Sequence, residues 1–157
     1  MKLLVIGGGR FFGLSLVEEA LADGHEVTAI QSGRTSSPPP EGLELLTGDR
    51  DTDLGELLGE RTFDWVVDTC GFLPGQVQIS ADLLADRVGR YLFISTTSTY
   101  VNTPGQVYRE DESPVDERDV DPTQSSGDSY GALKVVCERV VHDVLGDRSI
   151  LVRPGLV

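Results

Sequence analysis

Residues 1–30 read MKLLVIGGGRFFGLSLVEEALADGHEVTAI, and the order of residue types in this stretch decides the fold. Lys2 to Ile6 is a short apolar run of strand length that stops at three glycines. Phe12, Leu16, Val17, Ala20 and Leu21 then recur at helical spacing, Asp23-Gly24 closes that helix, and Glu26 to Ile30 forms a second strand. Strand, tight turn, helix and strand within about thirty residues make a βαβ unit, whose two strands run parallel.

The pattern continues outward from this unit. Gln31 to Glu41 is a polar, proline-rich loop, and a short strand follows at Leu43 to Leu46. Helices are predicted at Leu54–Leu58, Val77–Val88 and Ser129–Val144. Strands are predicted at Trp65–Asp68, Tyr91–Ser95 and Ile150–Val152. Alternation of this kind implies an α/β protein with a doubly wound parallel sheet. Val101 to Asp128 is rich in Pro, Asp and Ser and far longer than the usual connection of about 4–6 residues, so it is read as either a functional lid or a disordered segment.

Composition excludes several classes. The 157 residues suit one domain, 1–157. No apolar run reaches the ~20 residues that cross a bilayer, and the start lacks the long apolar core of a signal peptide, so a soluble, cytoplasmic protein is expected. The net charge of −13, from 26 acidic and 13 basic residues, repels polyanions and disfavours nucleic acid. Cys70 and Cys137 lie far apart and read as buried free thiols; His25 and His142 have no clustered partners, so no metal is expected.

Two motifs carry chemistry. Gly7-Gly8-Gly9-Arg10-Phe11-Phe12-Gly13 falls between the first strand and the first helix, where bare backbone admits a pyrophosphate and the helix N-terminus supplies amides and positive dipole without a lysine. Gly7, Gly9 and Gly13 approximate the GxGxxG pattern with one extra residue in the last gap. Tyr130 and Lys134 stand four apart on a helix and share a face. With four tyrosines and two lysines in the chain, such a pair arises by chance about 0.05 times. A nearby ammonium favours the phenolate, so Lys134 is expected to lower the pKa of Tyr130 and let it exchange a proton with a substrate oxygen.

In this order and on these elements, the motifs resemble the extended short-chain dehydrogenase/reductases of the NAD-dependent epimerase/dehydratase family. The resemblance implies a Rossmann-type sheet in the order 3-2-1-4-5-6, in a chain truncated before most of its C-terminal substrate-binding part. It implies Thr96 as the hydroxyl partner of Tyr130 and Lys134, with Ser95 as the alternative. Asp49 of Gly48-Asp49 would meet the adenine, with Arg50 beside it. The run Thr69-Cys70-Gly71 would lie against the ribose and phosphates, and Pro154 of Arg153-Pro154-Gly155 beside the nicotinamide. The glycine turn would bring Gly7, Gly9, Arg10, Phe11, Phe12 and Gly13 to the cofactor. Tyr130 and Lys134 would touch it too, and Lys134 would hold the nicotinamide ribose.

The second strand ends in Gln31-Ser32-Gly33-Arg34, without the carboxylate that holds a ribose 2′-hydroxyl in NAD-preferring members. Ser32 and Arg34, with Arg10, would instead accept a 2′-phosphate, so the cofactor is NADP or NAD with NADP modestly favoured. Thr97-Ser98 replaces the Asp-Glu of the sugar-nucleotide dehydratases, which excludes their water loss. The reaction implied is oxidation, reduction or epimerisation at a carbinol or carbonyl, with a sugar nucleotide as one candidate substrate. A homodimer through the helices beginning near Val77 and Ser129 is also implied. Relatives that share a Gly-Gly-x-Arg-Phe-x-Gly turn and act as non-catalytic NAD(P) sensors, or associate with RNA, form the alternative.

Overall fold

The structure, a computed structural model, describes residues 1–33, 38–101, 105, 107–110 and 113–155. Six strands, β1 (Lys2–Ile6), β2 (Glu26–Gln31), β3 (Glu44–Thr47), β4 (Phe63–Asp68), β5 (Val88–Ile94) and β6 (Ser149–Val152), form one sheet in the order β3-β2-β1-β4-β5-β6. Every pairing is parallel. The helices are α1 (Phe11–Ala22), α2 (Leu54–Leu58), α3 (Pro74–Leu84) and α4 (Tyr130–Leu145). The expected doubly wound Rossmann-type sheet is therefore present.

Parallel strands need both faces covered, which explains why β1 has no polar face: Leu4, Val5 and Ile6 are all buried. Leu4, Ile6, Val66, Tyr91 and Phe93 pack under α2, α3 and α4. Leu3, Val5, Val27, Ala29 and Val67 pack under α1. Because Ile6 pairs with both Ile30 and Asp68, and Asp68 with Phe93, the strand exits gather along one edge.

The boundaries around α3 and β5 differ from expectation. α3 begins at Pro74 rather than Val77, because proline at a first helical position gives up an amide that would be unpaired there anyway. It ends at Leu84, and β5 begins at Val88 rather than Tyr91, since Val88 pairs with Phe63 and extends both strands. The described part of the 101–128 connection is tied down: Tyr100 bridges Val115, and the Tyr100 and Tyr108 rings stack at 5.1 Å. Among the described residues no helix is long and apolar enough to cross a membrane, and no cluster of His, Cys, Asp and Glu forms a metal site.

Candidate functional site

A cavity of about 600 Å³ opens at the strand-exit edge, within the size range of small-molecule sites. Gly7, Gly9, Arg10, Phe11, Phe12, Gly13, Ser32, Asp49, Arg50 and Cys70 line it, as the sequence predicted. Arg34 lies outside the described residues.

Backbone shapes this half. Gly7 takes φ +95°, and a Cβ there would strike Thr69 and Cys70; a Cβ on Gly13 would run into the Gly7 carbonyl. Only glycine lets α1 start this close to β1. The first turn of α1 holds no acidic residue and no side chain caps it, so its amides and dipole suit an anion. Phe11 follows at φ +44°, a conformation uncommon outside glycine, with its ring 86% exposed at the cavity rim.

The wall opposite is the β3–α2 turn. Asp49 is exposed, and one of its carboxylate oxygens accepts the Asp51 amide at 2.8 Å. Arg50 lines the cavity but turns its charge away from it. Its guanidinium grips Asp68, with Nη1 at 3.0 Å and Nη2 at 2.8 Å from the two carboxylate oxygens. Arg50, expected at the cofactor, thus stands in the cavity wall with its charge matched by a fully buried carboxylate. Burial alone would raise the pKa of Asp68, but the charge and hydrogen bonds of Arg50 outweigh it and hold the carboxyl below its ordinary range.

Gly71, Ser95, Thr96, Tyr130, Lys134 and Pro154 form a second cluster beyond the cavity lining. The Thr96 hydroxyl stands near enough to the Tyr130 phenol to act on its ionisation, and the Pro154 carbonyl accepts the Thr97 amide at 2.9 Å. Ser95 Oγ is buried without a hydrogen bond. Lys134 is 2% exposed; its Nζ donates to the carbonyls of Gly71 at 2.8 Å and Ile94 at 2.7 Å, and sits 4.0 Å above the Phe93 ring. Burial pulls its pKa down.

Burial likewise pushes the Tyr130 phenol above its ordinary range, and the group that opposes this is Thr96. The expectation that Lys134 lowers Tyr130 is therefore not met in the chain alone, where the ammonium is spent on backbone carbonyls. Thr96, just past β5, stands beside Tyr130 at the start of α4, while Lys134 one turn further along α4 points into the fold toward Gly71 and Ile94.

Thr69, of the Thr69-Cys70-Gly71 run expected against the ribose and phosphates, lines the cavity too, as do Gln31, Asp51, Phe72 and Gln76, to which sequence reasoning assigned no role. Phe72 was legible as the neighbour of Gly71. Gln76 sits in the first turn of α3, whose start at Pro74 had been placed too late.

The chain matches no family model and no curated protein. Its fold is shared with solved structures. A UDP-galactose 4-epimerase superposes with a TM-score of 0.75 at 19% identity, over 98% of this chain and 55% of that one. The Bordetella bronchiseptica enzyme WbmG, in complex with NAD, gives 0.76 at 22%, over 98% and 52%. A UDP-glucose 4-epimerase from Bifidobacterium longum, in complex with NAD+ and UDP, gives 0.75 at 20%, over 98% and 52%. The chain thus spans about half the length of these structures, and at these identities the likeness is one of fold.

Proposed function

We propose that the chain is the dinucleotide-binding part of an NAD(P)-dependent epimerase or oxidoreductase of the extended short-chain dehydrogenase type. The observation that carries this reading is the uncapped start of α1 against the Gly7–Gly13 turn, at the head of a cavity of dinucleotide-fragment size. Two of these neighbours are named as UDP-sugar epimerases and two as NAD complexes, which supports the same cofactor class and a nucleotide-sugar carbinol as substrate. Residues 1–157 form one domain in this reading, with a substrate-binding domain supplied elsewhere, and the protein is cytoplasmic.

The turn from Gly7 to Gly13 holds the pyrophosphate on backbone amides, and Asp49 meets the adenine. Nicotinamide, when bound, supplies the hydride acceptor and donor. Tyr130 moves the proton of the reacting hydroxyl and Thr96 hydrogen-bonds that oxygen. Lys134 holds the cluster from behind with two of its three ammonium N–H groups on Gly71 and Ile94, and the third is the donor for a ribose. Because the phenol is raised in the chain alone, Tyr130 works as an acid until a bound cation lowers it.

Titration with NADH and NADPH tests this reading. Binding of either, weakened by substitution of Gly13, supports it; no binding at millimolar ligand sinks it for this chain. Preference for NADPH rests on Arg10 and Arg34. A loss of that preference in Arg10→Ala would confirm it, and equal affinities would leave NAD as the carrier. The alternative of a non-catalytic sensor predicts that Tyr130→Phe changes nothing in the whole protein.

A further inference from the structure

The buried charge beneath the cavity takes no part in the steps above. Arg50 leaves the β3–α2 turn immediately after Asp49 and runs inward. Besides its two bonds to Asp68, Nη2 donates to Ser80 Oγ at 2.8 Å and to the Gln76 carbonyl at 3.2 Å. Asp68 Oδ2 also accepts Tyr91 OH at 3.0 Å. One side chain thereby fastens three elements: the turn after β3, the exit of β4 and the first turns of α3. Gln76 Nε2 adds a second tie to the same turn, reaching Asp51 Oδ2 at 3.0 Å.

Stability alone does not account for this arrangement. Desolvating an ion pair costs enough that apolar residues of equal volume often serve as well or better. A guanidinium fork on a carboxylate does what apolar packing does not, which is to fix direction and distance together. The turn it fixes forms one wall of the cavity, and in that turn Asp49 keeps a carboxylate oxygen with no hydrogen bond among the described residues.

We propose that Arg50 and Asp68 are positioning residues for the adenine end of the cavity. The pair sets the distance of the Asp49 turn from the glycine turn opposite, and so decides whether an adenine amino group is met in hydrogen-bonding geometry. The inference rests on the dinucleotide reading and deepens it: the adenine site is pre-formed by a buried ion pair and does not assemble around the ligand.

Saturation-transfer NMR of NAD+ with the 157-residue chain tests this, because it reports separately on adenine and nicotinamide protons. The wild type should saturate both. Arg50→Met combined with Asp68→Leu removes both charges at similar volume; it should keep its thermal midpoint, lose adenine saturation relative to nicotinamide and lose affinity for ADP-ribose. Arg50→Lys keeps the charge but not the fork, and should lose part of the adenine signal. A folded double variant with the wild-type pattern overturns the proposal; should that variant fail to fold, an unchanged pattern in Arg50→Lys overturns it. A wild type that saturates no NAD+ proton removes the dinucleotide reading and this inference together.

Discussion

Arg50 and Lys134 are both buried cations at the strand-exit edge, yet the structure treats them oppositely. Arg50 has a carboxylate against it, and although burial opposes its charge, Asp68 holds that charge in place. Lys134 has two carbonyls and an aromatic face, partners that orient an ammonium without neutralising it, and burial wins. The Asp49 side is therefore locked and electrically closed, while the Tyr130 side holds a charge with no carboxylate paired to its ammonium among the described residues. Each side also has its own glycine contact: Gly13 presses α1 on the Gly7 carbonyl, and Gly131 presses α4 on the Ser98 carbonyl.

The largest way to break this contrast is to remove the carboxylate. Asp68→Ala leaves a buried guanidinium unpaired and should cost about 3–5 kcal/mol in denaturant unfolding. In the wild type, Asp68 is depressed below its unfolded value of about 3.9, so its contribution is present above that pH and fades as pH falls toward the folded value. Asp68→Ala should lack that acid limb; an identical acid profile would show that the pair is not ionised.

The glycines sharpen the comparison. Alanine at Gly13 or Gly131 overpacks backbone against backbone and should cost about 1–3 kcal/mol each. Gly13→Ala should abolish NADH binding, whereas Gly131→Ala should spare the adenine end and pull Tyr130 away from Thr96. Equal damage to both functions would mean that the two sides are one cooperative unit.

Lys134→Met strands two carbonyls and should cost about 1–3 kcal/mol. Lys134 is lowered in the fold, so the unfolded chain binds its proton more tightly between the folded value and about 10.4; wild-type stability should gain an increment through that window that the variant lacks. The smallest effect concerns the thiols. Burial pushes Cys137 up to about 12, whereas half-buried Cys70 is raised too but lines the cavity. A thiol reagent should label Cys70 first, and NAD+ should slow that labelling alone.

The alternation of strand and helix and the glycine turn were legible because they are written locally, in strand runs and helical spacing, whereas the sheet order came only from the family resemblance. Thr96, Tyr130 and Lys134 were legible as residues but not as electrostatics, since burial of Lys134 depends on Gly71 and Ile94 from strands far away in sequence. The ion pair of Arg50 was hidden for the same reason: its partner Asp68 lies eighteen residues on, at the end of a strand whose Val66 and Val67 are buried. Gln76 gave no signal, because a cavity wall is made by neighbours that only the fold supplies.

The all-parallel sheet has a consequence in time. With no hairpin anywhere in it, no strand pairs with a partner beside it in sequence until an intervening crossover has been laid down. β1 precedes both of the strands that flank it, β2 and β4, so its apolar run must wait for later sequence to close over it. Sheets dominated by such non-local pairings fold slowly and pass through species with unpaired edges. For a chain of this design, the acidic surface is a safeguard during that interval, since like charge holds half-folded copies apart while the centre of the sheet is still uncovered.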